Sequence, residues 1–261
     1  MTTTTMPATR STRGKYEGLL EIISYNRRFY ALTALAVMAG IIIAVLLPGK
    51  PALLLAAASL LTLAWIAVSL LVSHYIYDRS QLYDFRWMRD LLPQVLRNWV
   101  NIHAGLDQTS ELLQSVFPGS NGQILDIYNP VEMTEPSIAR AREISAAGPA
   151  AIQADFKHLP LPGSSCDAVF LIFAAHELRR RSARVEFFRE AARVLAAGGA
   201  VVLVEHLRDM ANFLAFGPGF LHFQLRGEWL YAAVSANLRV QQEMKITPFV
   251  RVFVLVHDYD S

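Results

Sequence analysis

Two short stretches set an imidazole beside a carboxylate: His176-Glu177 in AAHELRRR and Glu205-His206 in EHLRD. A neutral imidazole titrates near working pH and can take a proton from a reacting group. His103 and His222 (in FLHF) offer the same chemistry elsewhere in the chain. Histidine with carboxylate also suits divalent ions. No tight ligand spacing accompanies these residues, so no metal is expected. Cys166 is the one cysteine and has no histidine paired with it nearby in sequence, which argues against a thiol nucleophile. A lone cysteine also excludes an internal disulfide framework and any multi-cysteine metal site.

These residues need elements to bring them together. From about Trp99, short apolar runs alternate with helical patterns. Strands are expected at 99–102, 124–128, 151–154, 168–173 and 200–205. Helices are expected at 110–117, 135–144 and 184–195, the last stopped by Gly198-Gly199. The run AVFLIF is apolar throughout, as a buried parallel strand should be. Such alternation predicts a Rossmann-like, doubly wound α/β sheet, which binds ligands at the carboxyl ends of its strands. His103, His176, Glu177, Glu205 and His206 would then share one rim.

ADFKHLPLPGSSCDAVF (154–170) and FFREAARVLAAGGAVVLVEH (187–206) together resemble the class I S-adenosylmethionine (SAM)-dependent methyltransferases. In that family an acid closes the third strand, an LPxP-type loop follows, and a helix ending R-V-L-x-x-G-G precedes the fifth strand. The resemblance covers about Trp99 to His257 and implies a seven-stranded sheet, with MKITPFVRVFVLVH (244–257) supplying the last strands, the antiparallel one included. It implies SAM as cofactor, and their strand-end positions put His176, Glu177 or His206 near the acceptor, where a neutral histidine can take the proton that methyl transfer releases.

The family's first strand ends D/E-x-G-x-G-x-G. Here that motif reads Asn101, Ile102, His103, Ala104, Gly105, Leu106, Asp107, keeping only the middle glycine. The resemblance places Asn101, His103, Gly105 and Asp107 at the methionine end of SAM. Asp107 could pair the cofactor's ammonium but would repel its carboxylate. Asp126, with Tyr128 nearby, falls at the end of the second strand, where a carboxylate accepts hydrogen bonds from ribose hydroxyls. The other reading of Asp126 is a turn residue before Asn129-Pro130. Asp155 and Phe156 stand where the family reads and packs the adenine; a strand-end turn is the alternative.

The chain has 261 residues, of which 53% are hydrophobic and 18% charged, which argues against a disordered chain, although the first dozen residues read as a disordered tail. A net charge of +2 argues against a nucleic-acid partner, the run Arg179-Arg180-Arg181 reads as a solvated helix start, and no motif implies a protein partner. The apolar excess is concentrated near the start. Between Arg28 and Lys50 lie 21 uncharged residues, and a second uncharged run extends from Pro51 to Ser73. Each is long enough to cross a bilayer as a helix, so a transmembrane hairpin is expected over 29–73. Arg10, Arg13, Lys15, Arg27 and Arg28 precede it and Arg79, Arg86, Arg89 and Arg97 follow, whereas the tip carries only Lys50. This bias puts both ends, and the domain at 98–261, on the cytoplasmic side of an inner membrane. Residues 1–28 read as a cytoplasmic tail and 74–97 as a linker helix, either at headgroup level or packed on the domain.

NFLAFGPGFLHFQLRGEWLY (212–231) is rich in aromatic residues. In the family the segment after the fifth strand commonly forms a substrate lid. Phe213, Phe216, Phe220, His222 and Phe223 are therefore expected to meet the substrate, with core filling as the other reading. Together these features point to a membrane-bound methyltransferase acting on a hydrophobic acceptor such as a quinone, isoprenoid or lipid. Two alternatives stay open. One is a SAM-dependent enzyme that transfers an amino group to a quinone. The other is a membrane scaffold that has lost its cofactor.

Overall fold

A computed structural model describes residues 14–92, 95–135, 138–140, 142 and 151–258. Seven strands form one sheet: β1 (Asn98–His103), β2 (Asn121–Asp126), β3 (Ile152–Gln153), β4 (Cys166–Ile172), β5 (Leu195–His206), β6 (Leu238–Thr247) and β7 (Val250–His257), in the order β3-β2-β1-β4-β5-β7-β6. β1 to β5 run parallel, and β7 lies antiparallel between β5 and β6. The register pairs His103 with Asp126 and Ile172 with Val204, which levels the carboxyl ends of β1, β2, β4 and β5 into one rim.

The central strands are apolar because both faces are covered. On one face Val169, Leu171 and Leu203 pack with Phe187, Phe188 and Trp229. Phe187 and Phe188 belong to the helix Arg181–Val194, and Trp229 to the helix Arg226–Val234. On the other face Phe170, Val202 and Val204 pack with Phe85, Met88 and Trp99.

N-terminal to the sheet stand α1 (Glu17–Tyr25), α2 (Arg27–Leu46) and α3 (Lys50–His74). α2 and α3 are long and apolar enough to cross a membrane, and little of either is buried within the protein. The turn between them uses Gly49 at φ 75°. A Cβ on Gly40 of α2 would come within 2.5 Å of Ser59 Oγ on α3, so the two helices cross at small residues.

Five local expectations are corrected. Gly198-Gly199 do not stop a helix: β5 starts at Leu195 and absorbs both glycines as a bulge. The register jumps there from Cys166↔Leu195 to Ala168↔Ala200, and Gly198 has φ 73°. β2 starts at Asn121 and ends at Asp126, not at Tyr128. The segment after α3 is not one helix but a π-helical turn (Tyr75–Arg79) and two 3-10 turns (Leu82–Asp84, Arg86–Leu91). Its Ile76, Leu82, Phe85 and Met88 are buried under the sheet. The stretch read as a tail contains α1; residues 1–13 lie outside the described residues. Of the helix expected over 135–144, Ile138 to Arg140 and Arg142 are helical, Glu135 is not, and the rest lies outside the described residues.

Candidate functional site

β4 leaves the sheet through Phe173, which adopts φ 51°. A left-handed bulky residue is strained, and here the strain turns the chain into the short 3-10 turn Ala175–Glu177. That turn lays His176 against β5. His176 Nδ1 is 2.7 Å from Glu205 Oε2, and the His176 amide donates to Glu205 Oε1 at 3.2 Å. On the other side of the ring, Nε2 is 3.1 Å from Glu177 Oε1. Burial opposes a charge on His176, but the Glu205 and Glu177 carboxylates outweigh it and raise the imidazole well above its ordinary value. Burial likewise works against the Glu177 carboxylate, yet the charge of His176 draws its pKa below the usual value. Glu177 Oε2 is buried and has no hydrogen-bond partner.

His206, at the end of β5, is held differently. Nδ1 meets the Phe249 carbonyl at 2.9 Å and Nε2 meets the Tyr77 hydroxyl at 2.9 Å. The carbonyl can only accept, so Nδ1 donates and Nε2 accepts. The ring stacks between Phe173 and Phe223, with centroids 5.0 and 4.8 Å away. Burial pushes its pKa down to about 4. The residue expected near the acceptor as a base is thus a neutral imidazole with both nitrogens engaged. It positions the aromatic wall.

At the β1–β2 end, Gly105 turns the chain with φ 98°. The Gly105 amide donates to His103 Nδ1 at 3.2 Å, which leaves His103 Nε2 buried without a partner. Burial lowers the pKa of His103. Asn101 faces into the loop, where its Nδ2 donates to Thr109 Oγ1 and Ser110 Oγ, both at 2.8 Å. Asp107 Oδ1 accepts from the amides of Thr109 and Ser110 at the start of α4 (Ser110–Val116). Asn101 and Asp107, expected beside the cofactor, therefore brace the loop that would carry it, although Asp107 Oδ2 stays without a partner. Asp126 Oδ1 accepts from the Tyr128 amide at 2.9 Å, and Oδ2 pairs with Arg142 at 2.5 Å. The Arg142 guanidinium lies 4.3 Å over the Tyr128 ring. Its side chain also fills the space beside Gly105, where a Cβ would come within 2.9 Å of it. Asp155 is exposed and accepts from the Lys157 amide, while Phe156 is buried in the core.

A cavity of about 600 Å³ opens over this rim. His103, His176, Glu177 and His206 line its floor. With α5 as Arg181–Val194 and α6 as Met210–Phe216, one wall is lined by Phe216 of α6, by His222 of the turn Gly217–His222 and by Phe223 just after it. The opposite wall includes Ile22 and Tyr25 of α1 and Ser69 and Ser73 of α3. Phe213 and Phe220 do not line it. Phe213 packs edge-on against Trp65 of α3 at 5.7 Å and against Phe220 at 5.1 Å, while Trp65 Nε1 donates to the Leu214 carbonyl.

α1 is seated by Asp78, which accepts from the Gly18 amide at 2.7 Å and the Leu19 amide at 3.1 Å. Sequence reasoning missed Tyr77, Asp78, Arg142 and the wall from α1. The only trace was the aromatic and cationic character of the segment after α3.

The strand order, with an antiparallel strand inserted beside β5, and a rim of acids and imidazoles set the frame for comparison. A family described as "Methyltransferase domain" matches residues 119–203, from just before β2 to within β5. Residues 119–203 match that methyltransferase domain, and the fold around them is one that solved methyltransferases share. The pyocyanin biosynthetic protein PhzM superposes with a TM-score of 0.54 at 16% identity, over 95% of this chain and 74% of its own. The mitomycin 7-O-methyltransferase MmcR gives 0.53 at 14% identity, over 94% and 74%. A SAM-dependent methyltransferase from Aquifex aeolicus gives 0.48 at 16% identity, over 67% and 91%. No curated protein matches the sequence.

The residues of this methyltransferase domain fit its cofactor. Gly105 keeps the one left-handed turn of the loop, and Asp126 offers a carboxylate at the end of β2. Glu177 and Glu205 bias the rim toward cations, which suits a sulfonium. The Arg142 side chain across Asp126 is 33% exposed, so solvent is open to it.

Proposed function

We propose that this methyltransferase domain works at a membrane and methylates a lipid-soluble acceptor. The observation that carries this reading is the cavity wall, which runs from the rim histidines to residues of α1 and α3. A ligand arriving along a membrane-embedded α3 would reach the rim without crossing bulk water. The lid supports the same reading. Trp65 of α3 grips it at Leu214, and Met210, Leu214 and Leu221 expose apolar side chains beside the two long apolar helices. The positive flanks of α2 and α3 favour a cytoplasmic position for the rim.

Bound SAM supplies an electrophilic methyl group. Asp126 would hold its ribose hydroxyls once Arg142 turns to solvent, and the Gly105 turn would face its methionine end. The acceptor would lie among Phe216, Phe223 and Tyr25. When a hydroxyl oxygen of the acceptor takes the methyl group, its proton must leave. Both nitrogens of His176 and of His206 are engaged, so Glu177 Oε2 is the open acceptor on the cavity floor.

The test uses the full chain in detergent with radiolabelled SAM and a membrane lipid extract. Label should appear in the lipid-soluble fraction. Asp126→Ala should abolish that transfer and weaken SAM binding in a calorimetric titration. Full transfer by Asp126→Ala would sink the cofactor pocket, and label confined to water-soluble products would sink the acceptor class.

A further inference from the structure

The turn after β4 and the end of the lid bring His176, Glu177 and His222 together, with one donor atom of each within 4.8 Å of the others. Glu177 Oε1 lies 3.1 Å from His176 Nε2 and 3.9 Å from His222 Nε2. The other nitrogen of each ring faces a carboxylate: His176 Nδ1 is 2.7 Å from Glu205, and His222 Nδ1 is 3.5 Å from Glu135. Metal-binding imidazoles carry such a partner on the nitrogen that does not ligate, which fixes the tautomer and aims the other nitrogen at the ion. Here both Nε2 atoms converge on one carboxylate. That carboxylate is itself about nine-tenths buried, and its Oε2 has no partner. Pairing of acid and base alone does not require two rings to share one carboxylate while its second oxygen stays unsatisfied.

We propose that His176, Glu177 and His222 bind a divalent first-row transition-metal ion, with Glu205 and Glu135 as positioning residues. Two imidazoles and one carboxylate leave coordination positions free on the cavity side. Donors held about 2.0–2.2 Å from one ion stand roughly 3.0–3.6 Å apart. The His176–Glu177 pair already meets that spacing, and His222 reaches it by a movement of about an ångström on the lid. The ion takes the place of the proton that His176 Nε2 shares with Glu177. Its role toward the acceptor rests on the function proposed above. An acceptor hydroxyl bound to the ion loses its proton more readily, and Glu177 Oε2 remains beside it to receive that proton.

The experiment measures metal binding without SAM or acceptor. A failure here therefore leaves the acceptor class standing, and a failure of methyl transfer leaves the metal site standing. The full chain, prepared in detergent without a histidine tag and stripped with chelator, is titrated with Co²⁺ and, separately, Mn²⁺. One Co²⁺ should bind per chain, with visible ligand-field bands and paramagnetically shifted imidazole signals from two histidines. His222→Ala and Glu177→Gln should each weaken Co²⁺ at least tenfold, and Glu205→Gln by about 10- to 100-fold. Three results would overturn the site: no binding of either ion at millimolar concentration, Co²⁺ bound without shifted imidazole signals, or undiminished binding in both ligand variants. The spectroscopic arm uses the wild-type chain and stays decisive if a variant fails to fold.

Discussion

In the proposed ribose site, Arg142 is the competitor for Asp126. Its guanidinium takes one carboxylate oxygen and rests on Tyr128, so SAM bound there would have to displace it. A partly exposed ion pair of this kind contributes up to about 1 kcal/mol. Arg142→Ala should therefore tighten SAM by roughly fivefold in a calorimetric titration, and unchanged or weaker binding would contradict the competition. His206 makes a different prediction, about stability. Burial holds its folded pKa at about 4 against 6.5 for the free side chain, so between those values only the unfolded chain takes the proton. Its contribution is complete above pH 6.5 and is lost as the pH falls toward 4. The titratable groups facing it are Tyr77, His176 and Asp209. Thermal melts across that window should show a shallower pH dependence for His206→Gln than for wild type, and parallel curves would refute the assignment.

α1 supplies part of the cavity wall, and its first turn is tied down locally. Asp78 caps its first turn through the Gly18 and Leu19 amides, and a Cβ on Gly18 would come within 2.4 Å of Tyr77 Cβ. Gly18→Val should lift α1 from the π-helical turn. Hydrogen exchange across Leu19 to Tyr25 should then accelerate while the sheet stays protected; unchanged protection of α1 would show that the close approach is not required.

This element also marks where the sequence stopped being readable. The strands of the sheet were legible because buried parallel strands form unbroken apolar runs such as AVFLIF. The rim was legible because strand ends follow from strands, which is how His103, Asp126, His176 and His206 were found. EGLLEIISY is too short to declare a helix without the partner it packs on. Gly198-Gly199 misled because a glycine pair usually ends a helix, whereas pairing with β4 draws it into a strand. The convergence of His222 on Glu177 was invisible because no local spacing encodes the fold-back of the lid.

At the scale of the whole molecule, the orientation of α2 and α3 is open to a clean test. Cys166 is buried, so the wild-type chain offers a quiet background for thiol labelling. Lys50→Cys, at the tip between the two apolar helices, should react with an impermeant maleimide added outside intact cells. Labelling only after lysis would reverse the proposed topology. The cavity walled by α1 and α3 has a further consequence for rate laws. If the acceptor reaches the rim along α3, as proposed, it would be met in two dimensions, and the enzyme would respond to its mole fraction among lipids and not to its amount per volume. Diluting a fixed quantity of acceptor into more bilayer would slow turnover although nothing in the surrounding water had changed.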